Sequence, residues 1–427
     1  MNSTDVREPM DDADFFTPET LADPYATMDR MRAACPVQRI RQPALGRDQY
    51  VVTSHELVDA VFRDHETFSS NYMDMFLSGG RGNPEAEALY ATSWPEVNTL
   101  LTSDEPDHSR LRQLSMKAFM PGRIKRMTDL IEQTVTTLID NFIERGTCDF
   151  VAEFAIPLPL HTIGDILGLP RDLHGQLYPW TFALMRRNGQ MATHDEQLED
   201  ARQIVELKSY VEKLLRERRA HPQDDLISDL VTAEVEGENP LSDLEVLSSA
   251  LLLIVGGAET TRSSLISMMA RLTRSPEQRA ALRADPTLIP KAVEEMLRLD
   301  TPGTALWRIA RHDTELGGVA IPKGGIVMMR IDAANRDPAV FADPNAFVIG
   351  RDNINRHLSF GAGIHYCIGF RLARAQIIQS ITQLVARLDD LRLVPEQSDL
   401  TAHPSMHTRC LKALTIAFTP GERSRRT

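Results

Sequence analysis

The chain has 427 residues, 42% of them hydrophobic and 25% charged, values of a globular protein rather than a disordered or fibrous one. Its formal net charge of -13 argues against a nucleic-acid partner, because phosphate binding rests on basic surface. Cys35, Cys148, Cys367 and Cys410 lie far apart with no C-x-x-C pair, which excludes a disulfide framework and the usual zinc spacings and fits a reducing cytoplasm.

The opening stretch MNSTDVREPMDDADFF is acidic and polar and lacks the basic and apolar regions of a secretory signal; residues 1–15 read as a flexible N-terminal arm. QYVVTS at 49–54 reads as a strand. SGGRGNPEAEA at 78–88 reads as a long surface loop inside one domain spanning 1–427, and 124–145 and 199–219 as amphipathic helices. Ser242, with Glu245 three residues on, makes a capping box that opens a helix over about 243–274, closed where Ser275-Pro276 starts the next. At ~1.5 Å per residue this helix spans roughly 48 Å, and its middle is apolar all round, so it is expected to run through the core. Its centre, VGGAETTRSS, puts two glycines, a carboxylate and two threonines where propensity and burial favour Leu or Ala; the glycines are expected to open or widen the helix there. The longest apolar run, ALLLIVGGA at 250–258, is too short to span a bilayer, so no membrane partner is expected. After residue 301, alternating apolar residues with Gly-Gly and Pro punctuation suggest short strands and turns. The fold class is mainly α with a minor β part, since the strands are too few and do not alternate with the helices.

The segment LSFGAGIHYCIGFRLARAQ at 358–376 places Cys367 among Gly361, Gly363 and Gly369 at the start of a helical pattern. A thiol at a helix N-terminus is stabilised as thiolate by unpaired amides and the dipole, and thiolate either attacks carbon or ligates metal. A cysteine hydrolase needs a histidine base on the sulfur, yet His365 lies two residues upstream in an extended or turn segment and is expected to point elsewhere. Zinc would need further soft ligands nearby, and covalent haem attachment needs C-x-x-C-H, which is absent. A lone thiolate in a rigid glycine loop suits one axial bond to haem iron.

FGAGIHYCIG resembles the haem-binding loop of the cytochrome P450 monooxygenases, F-G-x-G-x-H-x-C-x-G, at every fixed position. GGAETT at 256–261, Glu295 and Arg298 within EEMLR, and HSRLR carrying His108 and Arg112 follow in family order, and DDLISDL at 224–230 and ANRDPAVF at 334–341 resemble soluble bacterial members. Ile368 stands where leucine is commoner, and DEPDH at 104–108 replaces the frequent D-P-P-x-H.

The resemblance implies non-covalent haem b with Cys367 as axial iron ligand and Phe360 in the same loop. His108, Arg112, Arg308 and His365 are then the partners of the haem propionates, which need cations when buried. Glu259 and Thr260 are implied in proton delivery to bound oxygen, because O–O scission consumes protons. Glu295 and Arg298 are implied as a structural pair joined to the Asn335–Pro338 region. The implied reaction hydroxylates or epoxidises a hydrophobic small molecule with O2 and electrons from an NAD(P)H-dependent ferredoxin reductase and a ferredoxin, on a monomer. The alternatives are a haem-thiolate sensor without turnover, which has no need of Glu259 and Thr260, and a peroxide-driven variant.

The expected substrate-facing segments are 72–100 with Met73, Met75 and Phe76, the 180–194 region, the helix centre, TPGTALW at 301–307 and SMHT at 405–408. They are mostly apolar; Arg186, Arg187 or Arg262 would be the charged anchors. For the ferredoxin, Arg110, Lys117, Arg371 and Arg374 are the expected local positives around the thiolate face.

Overall fold

The computed structural model describes residues 15–42, 47–73, 83–116, 119, 121–189 and 192–424. The expected arm at 1–15 falls outside them except for its last residue, and Phe15 is fully buried against Met28, Met31 and Trp307, so it belongs to the core. The surface loop expected at 78–88 lies outside the described residues up to 82; beyond that, Pro84–Tyr90 is a helix that Asn83 caps through its side chain.

The helices at 124–145 and 199–219 are observed as Pro121–Asp140 and His194–Ala220. The second begins at a capping box of Thr193 and Glu196, which fixes its start earlier than the apolar pattern does. Asp243–Arg274 forms one continuous α-helix with the Ser242 and Glu245 capping box intact. It packs against Pro157–Ile166, His194–Ala220 and Phe370–Arg387, so its apolar circumference is met on several sides. By length and composition it is the one helix among the described residues apolar enough to cross a membrane, at mean hydropathy 1.4. Its polar capped ends and these packed neighbours make it a core helix. The glycines do not open it: Gly256 and Gly257 stay α-helical, and the Thr260 hydroxyl donates to the Gly256 carbonyl at 2.8 Å, adding a donor to that turn rather than breaking it.

The expected strand near 49–54 is Arg47–Val52. It lies in a five-stranded sheet ordered Val37–Gln42, Arg47–Val52, Ile326–Arg330, Ala305–Ala310, Phe68–Ser69. Arg47–Val52 pairs in parallel with Ile326–Arg330, bringing the N-terminal strands onto those that follow residue 301. Smaller antiparallel pairings complete the β part, including Asp399–Ala402 with Leu411–Ala413 beside the long helix.

Candidate functional site

The loop before Phe370–Arg387 is held in a shape that only glycine reaches cheaply at two points. Gly361 and Gly363 have φ of 71° and 66°, and a Cβ on Gly363 would meet the Phe62 carbonyl oxygen at 2.6 Å. The loop therefore presses directly on the end of the helix His55–Arg63. Its backbone turns back on itself, with Cys367 N–H donating to the Phe360 carbonyl at 2.9 Å. The helix proper begins at Phe370 with Gly369 as cap, so Cys367 precedes it by a turn rather than opening it. Burial is the largest influence on the thiol and pushes it up; the amides of Gly369 and Phe370 and the cations Arg112 and Arg374 pull it down without overcoming burial. The helix end supports a thiolate here but does not create one, and a bound metal cation would have to supply the rest.

Two adjacent acids on the helix Ile289–Leu299 pin this loop. Glu294 accepts from Arg374 Nε at 2.6 Å and NH2 at 2.8 Å, and from His357 Nε2 at 2.9 Å. Burial alone would raise this carboxyl, but the hydrogen bonds from Arg374 and His357 bring it down to about 2. Glu295, fully buried, receives Arg298 through a fork at 2.8 and 2.8 Å, with the Val348 amide at 2.9 Å and Arg351 beyond. Arg298 also reaches the carbonyls of Asn335, Pro344 and Ala346. Asn335 in turn donates to Ser359 Oγ at 2.9 Å and accepts from the Leu358 amide at 2.7 Å, which carries the network to the loop. Phe360 lies under the Arg374 guanidinium, 4.5 Å from its ring centroid, and near Phe370 and Tyr366. Sequence reasoning singled out Glu295 and passed over Glu294, whose partners lie 63 and 80 residues away.

On the other side of the loop, His108, Arg112, Arg308 and His365 come together. The rings of His108 and His365 lie 4.2 Å apart, and Arg112 and Arg308 both act on each of them. Both nitrogens of His365 are taken: Nδ1 donates to the Leu100 carbonyl at 3.0 Å, so neutral Nε2 accepts from the Ser70 hydroxyl at 2.8 Å. Burial, then Arg308 and His108, hold that imidazole down to about 3, so it stays neutral at ordinary pH. The other three residues keep unspent donors. His108 is 1% exposed, with Nε2 unbonded and Nδ1 3.5 Å from Glu105, too long for a good hydrogen bond. Arg112 NH1 and Arg308 NH2 are buried without partners, and Arg308 is 1% exposed, held by one bond from NH1 to the Trp307 carbonyl at 2.8 Å. Unpaired buried cations are costly, and a pair of carboxylates from a bound group would satisfy them. This donor set fits haem propionates. On the long helix, Gly256 borders open space: an added Cβ there would meet nothing within 4 Å.

At the helix centre the two polar residues diverge. Thr260 turns to Gly256. Glu259 forms an ion pair with Arg262 in the same helix. The other arginines expected as anchors are also committed. Arg186 takes Asp200 at 2.8 and 2.7 Å and Glu196 at 2.8 Å. Arg187 takes Glu96 at 3.0 and 3.2 Å, and Lys208, 3% exposed, adds its ammonium 3.6 Å from the same Glu96. Beside Glu96, Trp94 Nε1 donates to the Lys208 carbonyl at 3.1 Å and the Val97 amide donates to Ser248 Oγ at 3.0 Å. One short segment thus joins the helices Leu177–Gly189, His194–Ala220 and Asp243–Arg274.

The segments at 301–307 and 405–408 meet: the Thr304 amide donates to the His407 carbonyl at 2.8 Å and its hydroxyl to Met406 O at 3.1 Å. Met73 is half-buried with its sulfur near Thr102, whereas Met75 and Phe76 lie outside the described residues.

The sequence model of the cytochrome P450 family matches residues 190–407. A steroid C26-monooxygenase of Mycobacterium tuberculosis (strain H37Rv) is 35% identical over 398 residues, 93% of this chain and 95% of that protein. The cytochrome P450 monooxygenase PikC of Streptomyces venezuelae is 34% identical, covering 95% of this chain and 94% of that one. The crystal structure of CYP109E1 from Bacillus megaterium in complex with testosterone superposes with a TM-score of 0.79 at 28% identity, over 93% of this chain and 99% of that one.

Proposed function

The chain belongs to the cytochrome P450 family, and we propose from that membership which of its residues carry the reaction and what class of molecule it oxidises. It is a haem-thiolate monooxygenase that binds haem b without covalent attachment and uses O2, a small-molecule substrate and redox partners. Relatives named as monooxygenases and hydroxylases do not favour a non-catalytic sensor.

Cys367 would supply the thiolate that holds the haem iron. Phe360 and the Glu294 and Glu295 clamps hold its loop, while His108, Arg112 and Arg308 would take the propionates. His365, bonded to Ser70 and Leu100, buttresses that cradle from the loop side. The observation that carries the assignment is the set of buried, unspent donors on His108, Arg112 and Arg308. When bound, haem supplies O2 activation and oxygen-atom transfer. The protein conducts protons: Thr260 Oγ1 can leave the Gly256 carbonyl to donate toward the open space, and the Glu259 carboxylate would take up a proton from solvent and pass it back to Thr260 through water.

The substrate is bulky, neutral and hydrophobic, of steroid type. The anchors Arg186, Arg187 and Arg262 are each neutralised within the protein, and the relatives include a steroid C26-monooxygenase and a testosterone complex. Electrons come from a ferredoxin and its NAD(P)H-dependent reductase, to a soluble, cytoplasmic, monomeric single-domain enzyme. A spectral titration of the holoenzyme with testosterone, corticosterone and a long-chain fatty acid tests the substrate class. Saturable high-spin shifts with the steroids support it, and a response to the fatty acid alone overturns it.

A further inference from the structure

The geometry points to Arg262 as the residue that fixes where the Glu259 carboxylate lies, a positioning role in proton delivery that rests on the part proposed above for Glu259. The two residues are three apart on the long helix, so they share one face. Arg262 NH2 donates to Glu259 Oε1, and the side chains are only 10% and 12% exposed. At that burial neither charge can leave the other without standing unpaired out of water.

The surroundings fix the arginine as well. Its guanidinium lies 5.9 Å from the Tyr178 ring centroid on the helix Leu177–Gly189, and the next residue, Ser263, donates to the Arg409 carbonyl. From beside the hairpin Asp399–Ala402 and Leu411–Ala413, Cys410 and His403 face the pair, with Lys412 and Asp399 next to His403. Cys410 is a neutral thiol, pushed up to about 12 by burial, and Lys412 is spent on Asp399 at 3.7 Å. Among the described residues, Arg262 is the one cation in an ion pair with Glu259. Arg262 Nε is buried without a partner, a donor free to order a water beside the carboxylate.

This matters because Glu259 and Thr260 sit about 100° apart around the helix. A proton passes between them only through water, and an ordered water needs a carboxylate held in one place. An unrestrained glutamate, with its several rotatable bonds, would not hold one. Arg262 acts on the reaction through Glu259 and touches none of the reacting atoms.

The test uses haem-loaded enzyme with a surrogate ferredoxin and reductase, without added substrate, and the variants E259Q, R262A, R262K and E259Q/R262A. The double variant removes both buried charges and so controls for the carboxylate that R262A leaves unpaired. One readout is the share of consumed oxygen reduced fully to water rather than to hydrogen peroxide. The other is the C–O stretching band of the ferrous carbon monoxide complex, which reports order on that side of the haem. We expect E259Q and R262A each to lower the water share by about tenfold, the low end for loss of an acid-base group being larger still. The double variant should fall no further than E259Q, and R262K should recover most of the loss. R262A should broaden or split the carbon monoxide band and R262K should narrow it again. If E259Q behaves as the parent, the role given to Glu259 fails and takes this inference with it. If E259Q loses water production while R262A keeps it with an unchanged band, or if the double variant falls well below E259Q, Arg262 does not act through Glu259.

Discussion

Cys367 stands between burial, which opposes ionisation, and a set of amides and arginines that favour it. The balance makes the metal decisive. Reduced holoenzyme with carbon monoxide should show the red-shifted Soret band of thiolate ligation, and Cys367→His should abolish it; an unchanged band removes this residue as ligand. The cradle predicts a different failure. Arg308→Ala deletes one unspent donor and leaves the sheet in place, so it should lower haem content per protein while circular dichroism stays that of the parent. Glu294 adds a pH dependence. Its folded value of about 2 lies below its ordinary 4.5, so its stabilisation is present above pH 4.5 and is lost as pH falls toward 2. The full shift corresponds to roughly 3 kcal/mol as an upper figure. Acidification should therefore loosen the thiolate loop, read as loss of the red-shifted band before loss of helical signal. Glu294→Gln should move that loss to higher pH.

At the scale of elements, what the sequence displayed was what is local. The capping box, the 3.6-residue period and the glycine loop are each written within a few residues, and the long helix and the loop were legible from them. The cradle of His108, Arg112 and Arg308 was legible only through family order, because the distance from His108 to Arg308 along the chain carries no physical signal. Glu294 was illegible for the same reason. The widening expected at Gly256 and Gly257 is not observed, because packing on several sides keeps the helix continuous. The Glu295 and Arg298 pair ties three segments through fully buried charge. Arg298→Ala removes the main partner of a buried carboxylate and leaves it to Arg351 and the Val348 amide, and should cost about 3 kcal/mol. A thermal melt no lower than that of the parent would sink this account.

For the whole molecule, a net charge of -13 gives a redox partner little positive surface to find, and much of what the sequence offered is spent internally. Arg110 is bonded to Glu245 and to the Asn239 carbonyl, and Arg374 to Glu294; Lys117 lies outside the described residues. Arg110→Glu should thus lower thermal stability, placing like charges at the start of the long helix, rather than report on docking. Arg371 is exposed, beside Phe370 near the thiolate loop. Arg371→Glu should slow first-electron transfer from a ferredoxin by about tenfold at low salt, ~1.4 kcal/mol, with the difference fading as ionic strength rises. Stopped-flow reduction under carbon monoxide measures it, and rates indifferent to both changes rule out this face. The Glu96 segment has a consequence in time rather than in energy. It fastens three helices with Arg187, Lys208, Trp94 and Val97 at once, so a bulky guest cannot pass there without several bonds opening together. For a guest that enters through this segment, residence should be long and set by that opening. Glu96→Gln should shorten it, seen as faster dissociation of testosterone in a displacement experiment, with the arrival rate raised in step and the equilibrium constant nearly kept.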